Sequence, residues 1–357
     1  MSCALDTAFW RGKRVLLTGH TGFKGAWTTL LLRQLGAEVY GVALAPEASP
    51  NLFELIAPGD GLVSVIADIR DAEALRAARD WAPQIVLHMA AQPLVRRSYA
   101  DPVETFGVNL MGTVNVLDAL RGLPGLEAVL VVTTDKVYRN EDTGRAFLEA
   151  DPLGGHDPYS ASKAAAELAV YSYAHSYFEP HGVPVATARA GNVIGGGDWS
   201  VDRIVPDIWR AARAGEALVL RMPHAVRPWQ HVVEPIVGYL VYCQNLVAAP
   251  DSTPRALNFG PPPADILTVA EVAEQVGRGL EATQGWVLAE GPAPREMKLL
   301  SLDPAAAEAA LGWCTKMDAR TALDWTSAWY RAFDQDRDMA RFTADQISAY
   351  IAPGGAG

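Results

Sequence analysis

Cysteine is scarce in this 357-residue chain, and the three present (Cys3, Cys243, Cys314) stand too far apart to frame a disulfide scaffold or a metal knuckle. The seven histidines form neither a His-x-x-x-His nor a His-x-x-Glu-His pattern, so no metal is expected. Positive charge is also short: 30 Lys and Arg stand against 41 Asp and Glu, a net charge of −11. That balance argues against a general nucleic-acid surface, yet a locally positive site can still hold an anionic small molecule. No apolar run approaches the ~20 residues that cross a bilayer. Met1 to Trp10 lacks the cationic start and apolar core of a signal peptide. The expectation is a cytoplasmic protein with no membrane and no nucleic-acid partner. Half of the residues are hydrophobic (50%) and a fifth charged (20%), an ordinary enzyme composition for one large domain or two unequal ones.

What is present is a regular alternation. Apolar runs at Arg14–Thr18, Val39–Leu44, Val63–Ala67, Ile85–Met89, Ala128–Thr133 and Val185–Ala188 predict strands. Between them, Gly25–Leu35, Asp71–Trp81, Asp101–Arg121 and the segment carrying Tyr159 predict helices. Such alternation implies an α/β fold with a parallel sheet covered on both faces, its ligands beyond the carboxyl ends of the strands. The rhythm stops near Arg189. Glycines at 191 and 195–197 and prolines at 206, 223, 228, 235 and 261–263 interrupt shorter pieces, which predicts a smaller lid-like domain. The Gly-rich end, Pro353–Gly357, is expected to fray.

Thr18-Gly-His-Thr-Gly-Phe-Lys-Gly25 joins the first strand to the first helix. Glycines 19, 22 and 25 suit a tight turn, close approach of backbone to a diphosphate, and close helix-strand packing. Thr21, Phe23 and Lys24 complete this candidate cofactor loop, where His20 and Lys24 either touch phosphate or face the surface. The second strand ends in Leu44-Ala-Pro-Glu47, which supplies neither the ribose-gripping acid of an NAD site nor the arginine of an NADP site. Asp68, with Ile69 beside it, is a candidate for the adenine end. Ala90, Ala91 and Gln92 offer small residues where a cofactor must pass closely, and Asn109 completes the candidate cofactor set.

Tyr159 and Lys163 stand four apart, hence one turn apart on one helix face. Asp157 is placed to cap that helix, and Pro158 suits its first position. An ammonium beside a phenol favours the phenolate, so Tyr159 is expected to ionise well below ~10. Thr134-Asp135-Lys136 follows the fifth strand. Alone it would read as a solvated turn; with the glycine loop and the tyrosine it reads as an acid-base cluster.

These segments make the chain resemble the extended short-chain dehydrogenase/reductase superfamily and, within it, the CDP-glucose 4,6-dehydratase family. Carrying the resemblance are Gly19–Gly25, His88–Arg96, Asp135-Lys136, Asp157–Ser160, Arg189–Trp199 and Arg227–Val232, spread from Phe9 to Trp313. It implies a Rossmann-type doubly wound parallel sheet over 1–188, joined by about 228–257, with a smaller α/β substrate domain from 189–227 and 258–357. It implies NAD as cofactor, a CDP-hexose substrate, and a place in deoxysugar synthesis for O-antigen and other surface polysaccharides. By resemblance Tyr159, Lys163, Thr134, Asp135 and Lys136 are catalytic. Tyr159 and Lys163 also contact the cofactor. Lys136 acts either as a neutral base at carbon five or as a cation stabilising the enolate. Arg227 is expected on the substrate diphosphate, with Asn192, Arg203, His231 and Arg295 as further substrate candidates; His231 reads more readily as structural than as catalytic. The helices from Asp101 and Tyr159 are expected to pair across a two-fold axis into a four-helix bundle, giving a homodimer or a tetramer.

Overall fold

The computed structural model describes residues 5–56, 59, 61–141, 144–289, 300–352 and 354. Its main sheet contains β1 (Arg14–Thr18), β2 (Glu38–Ala43), β3 (Leu62–Ile66), β4 (Ile85–His88), β5 (Ala128–Val132) and β6 (Val185–Ala190). Three further strands, β7 (Asn192–Ile194), β8 (Leu218–Leu220) and β9 (Val226–His231), precede β10 (Ala256–Phe259), which returns to the main sheet. The seven parallel strands run β10-β6-β5-β4-β1-β2-β3. The order reverses between β1 and β4, which opens a crevice at their carboxyl ends.

Successive residues along these strands point to opposite faces, and each face has its own core. Val15, Leu17, Ile85, Leu87, Leu130 and Val132 meet the helices Phe23–Gln34 and Val233–Ala248. Leu16, Val86, Val129 and Val131 meet the helices Ala72–Asp80, Thr113–Leu120 and Pro158–Tyr173 on the other side. Two-sided burial explains why the strands read as unbroken apolar runs rather than as alternating ones. The edge strand β3 is the exception, with Val63 and Ile66 about half exposed.

The stretch expected as one helix from Asp101 to Arg121 is helical but not uniform: Pro102–Phe106 is α, Gly107–Gly112 is π and Thr113–Leu120 is α again. A Cβ on Gly112 would lie 2.4 Å from Ile69 Cδ1, so the end of the Ile69 side chain packs onto the bare glycine here. Beyond the main sheet, β9 pairs in parallel with β7 and antiparallel with β11 (Ile266–Thr268), while β8 pairs with β12 (Trp286–Leu288). No helix among the described residues is long and apolar enough to cross a membrane.

Candidate active site

The turn after β1 is closed by glycine alone. Gly19 has a φ of +80°, and a Cβ there would come 2.8 Å from the Ala90 amide nitrogen. The first and fourth strands therefore meet backbone to backbone at the reversal point. A Cβ on Gly25 would lie 2.0 Å from the Gly19 carbonyl oxygen, whereas one on Gly22 would clear it at 3.4 Å. Gly22 caps the helix Phe23–Gln34 without any side-chain bond, leaving the first-turn amides to an anion. These features fit a dinucleotide diphosphate. Gly25→Ala should lower NAD affinity by between about tenfold and 100-fold, the equivalent of ~1–3 kcal/mol of steric strain, in titration calorimetry. Gly22→Ala should change it far less.

Around this loop the candidates divide. Thr21 donates its hydroxyl to the Leu44 carbonyl (2.7 Å), tying the turn to the end of β2. His20 is buried, bonds Ser64 on β3 (2.7 Å) and is driven down to about 4 by burial, so it is neutral and internal rather than on the loop surface. Asp68 is gripped by Arg70 (2.7 Å), which also pairs with Glu104 and holds the Asp68 carboxyl below its usual range. Ile69 is buried against Gly112. Ala90 and Ala91 are partly exposed, as a passing ligand requires. Asn109 has its amide committed: it accepts from the Gln92 backbone (2.8 Å) and donates to the Gln92 carbonyl and Ser162. It braces the loop after β4 against the helix Pro158–Tyr173.

Asp157 caps that helix as its spacing predicts, accepting from the Ser160 amide at 2.9 Å. Tyr159 and Lys163 are both buried beneath the end of β5. Lys163 donates to the Val132 carbonyl (3.3 Å), and burial lowers its amine to about 8 while Glu167 opposes the fall. The Tyr159 phenol departs from expectation: burial raises it to about 12, a bond with Thr134 acts the other way, and the Asp135 charge raises it again. Arg203 also lowers it, but burial outweighs both. Thr134 donates to Asp135 (2.9 Å), and Lys136 bonds the same Asp135 oxygen at 3.0 Å. The other oxygen faces Gly191, where a Cβ would stand 3.2 Å away. Lys24 turns inward to this cluster and is lowered to about 7, first by burial, then by Arg203, with Asp135 opposing and Lys163 and Lys136 adding. Arg203, Lys163 and Lys136 thus lie within electrostatic reach of Lys24, with Asp135 as the acid among them, in a protein of net charge −11, an arrangement that suits an anionic ligand.

Of the substrate candidates, Arg203 belongs to this cluster, acting on both Lys24 and Tyr159. Asn192 and Arg227 lie partly exposed on the neighbouring strands β7 and β9. His231 does not line the cleft: it is fully buried, edge-on to Trp27 and Trp325, and lowered to about 3 by burial. Arg295 lies outside the described residues. Two residues that sequence reading did not assign to the site emerge from the structure, Glu167 and Arg189, a buried ion pair at 2.8 Å behind the cluster. The available signal was an acid four residues past Lys163, one turn on along the same helix face.

The family described as "NAD dependent epimerase/dehydratase family" matches residues 15–260. A CDP-glucose 4,6-dehydratase of Salmonella typhimurium strain LT2 is 41% identical over 354 residues, covering 98% of this chain and 99% of that protein. A solved dTDP-glucose 4,6-dehydratase of Streptomyces venezuelae, with NAD and TYD bound, superposes with a TM-score of 0.76 at 25% identity, over 92% of this chain and 99% of that one. An epimerase of Methanothermobacter thermautotrophicus gives 0.79 at 23% identity over 92% and 95%, a likeness of fold. With a glycine turn built for a dinucleotide and a buried tyrosine-lysine pair beside it, this chain belongs to the NAD dependent epimerase/dehydratase family, with NAD as its cofactor.

Proposed function

We propose that the protein is a CDP-glucose 4,6-dehydratase, a hydro-lyase converting CDP-glucose to CDP-4-dehydro-6-deoxyglucose and water. The observation that carries this reading is the direct contact of Lys136 with buried Asp135 beside Tyr159, an acid-base pair that oxidation at carbon four alone does not need. The 41% identity to the Salmonella enzyme over nearly the whole chain supports the nucleotide and the hexose.

Bound NAD supplies a hydride acceptor, later the matching donor, and a positive charge. Tyr159 takes the proton of the carbon-four hydroxyl, with Lys163 favouring the phenolate and Thr134 bonding the same oxygen. The ketone acidifies the carbon-five proton. Lys136 must be neutral to remove it, and its contact with Asp135 offers the route: moving one proton along the 3.0 Å bond leaves a free amine and a carboxylic acid side by side. The amine then takes the carbon-five proton while the acid protonates the departing carbon-six hydroxyl.

On this reading Arg203, Arg227 and Asn192 hold the nucleotide diphosphate, and residues 189–227 and 258–357 form the substrate half of the molecule. The protein acts in the cytoplasm, early in the synthesis of deoxysugars for O-antigen. It forms a homodimer, or a tetramer, through the helices around Val103 and Tyr171, whose side chains are 81% and 74% exposed with Tyr99, Leu168 and Met111 nearby. Leu117 and Val170, by contrast, belong to the subunit's own core.

A panel of CDP-glucose, dTDP-glucose, GDP-mannose and UDP-glucose tests the assignment through the alkali-induced absorbance of a 4-keto sugar. CDP-glucose should be preferred in kcat/KM by at least about 100-fold. Faster turnover of another nucleotide overturns the substrate. A galacto-configured product without loss of water indicates an epimerase instead.

A further inference from the structure

We infer that Glu167 and Arg189 are positioning residues for the reaction, a buried ion pair that clamps both ends of the Thr134-Asp135-Lys136 turn and links it to Tyr159 and Lys163. This rests on the catalytic reading above and deepens it. The catalytic helix meets the end of β5 in three successive turns. Tyr159 lies beside Thr134, Lys163 donates to the Val132 carbonyl, and Glu167 accepts from the Thr133 hydroxyl at 2.5 Å. Glu167 also accepts from Thr187 (2.8 Å) and, in a fork, from Arg189 Nε (3.0 Å) and Nη2 (2.8 Å). The remaining arm of Arg189 reaches past the turn, donating to the Tyr138 hydroxyl (2.8 Å) and to the Glu149 carbonyl (3.0 Å). Tyr138 in turn donates to Asn258 on β10 (2.7 Å).

The turn that carries Asp135 and Lys136 is therefore gripped just before it, at Thr133, and just after it, at Tyr138, by the two halves of one ion pair. Two residues beyond Arg189, Gly191 borders the Asp135 carboxylate. A planar guanidinium using its fork on one carboxylate and its third nitrogen elsewhere fixes both partners in angle as well as distance. All four side chains, Thr133, Tyr138, Glu167 and Arg189, are buried, so no water competes for these bonds. The pair reaches Lys163 as well, since Glu167 is one turn away and its charge supports the lysine's proton against burial. The other ionisable groups facing Lys163 are Tyr159 on its own helix, neutral His88 on β4, and Lys24 from the cofactor loop.

Two kinds of variant test this. Glu167→Gln removes the charge, and Thr133→Val and Tyr138→Phe each cut one grip while leaving the ion pair in place, which guards against a fold that fails without it. For each, kcat and KM for CDP-glucose are measured with melting temperature and CDP binding. Each single cut should lower kcat about tenfold and Glu167→Gln about 100-fold, with KM held within about twofold, as expected for sub-ångström misplacement of reacting groups. In Glu167→Gln the alkaline fall of the kcat profile should move about one unit to lower pH, because Lys163 loses its charge earlier. Unchanged kcat in the Thr133 and Tyr138 variants overturns the clamp. So does a loss of kcat that tracks the melting temperature, or a pH profile that does not move. Failure of the catalytic reading itself would show separately, in the wild-type protein and in Tyr159→Phe.

Discussion

Tyr159→Phe should lower kcat for CDP-glucose by about 10³-fold while NAD affinity and melting temperature stay near those of the wild type. The ring contributes the packing, and the lost oxygen contributes the chemistry. The phenol sits near 12 in the protein alone, so only about one molecule in 10⁵ carries phenolate at pH 7. Charge must arrive with the ligands, and kcat should therefore climb with pH until the phenol of the loaded site is ionised. A second limb follows from Lys163. Its amine is lowered to about 8, so its charge is complete below that pH and is lost as pH rises through it, which turns the profile downward. The wild-type profile should be bell-shaped, and the ascending limb should vanish in Tyr159→Phe. A phenylalanine variant that keeps more than a tenth of the wild-type rate would remove Tyr159 from the role of base.

Much of the fold was legible because two-sided burial writes itself as continuous apolar runs, and because glycine has few substitutes where a Cβ would strike the backbone. Strand limits fall within one residue of the expected ones for β1 to β5, and the cap at Asp157 is where its spacing puts it. The site was legible only where residues close in sequence are close in space. Tyr159 with Lys163, and Thr134 with Asp135 and Lys136, are such local sets. His231 and Asn109 were read by residue type, yet their partners come from other segments: Trp27 and Trp325 for the one, Gln92 with Ser162 for the other. A polar side chain cannot announce from sequence whether it faces a ligand or another buried group. The rise of the Tyr159 phenol is of the same kind, since burial is a property of the whole packed assembly and a four-residue spacing says nothing of it. The π segment at Gly107–Gly112 was likewise hidden, because Gly112 packs against Ile69 from another part of the chain.

Asp135→Asn should separate two steps that the wild-type enzyme performs together. The amide keeps the shape of the turn and its bond with Thr134, but it can no longer deliver a proton to the carbon-six hydroxyl. Dehydration should fall by about 10²- to 10⁴-fold. The substitution leaves Lys136 itself in place at the end of the turn, its backbone amide still bonded to Thr134. The lysine should therefore still take the carbon-five proton. In deuterium oxide, CDP-glucose recovered from the Asp135→Asn reaction should carry deuterium at carbon five with little product formed, read by proton NMR. Lys136→Met should lose both exchange and dehydration, because no base is left. Equal loss of exchange and dehydration in Asp135→Asn would mean that the carboxylate serves proton removal as much as leaving-group departure, and the shared proton of the Asp135–Lys136 pair would no longer account for the division of labour.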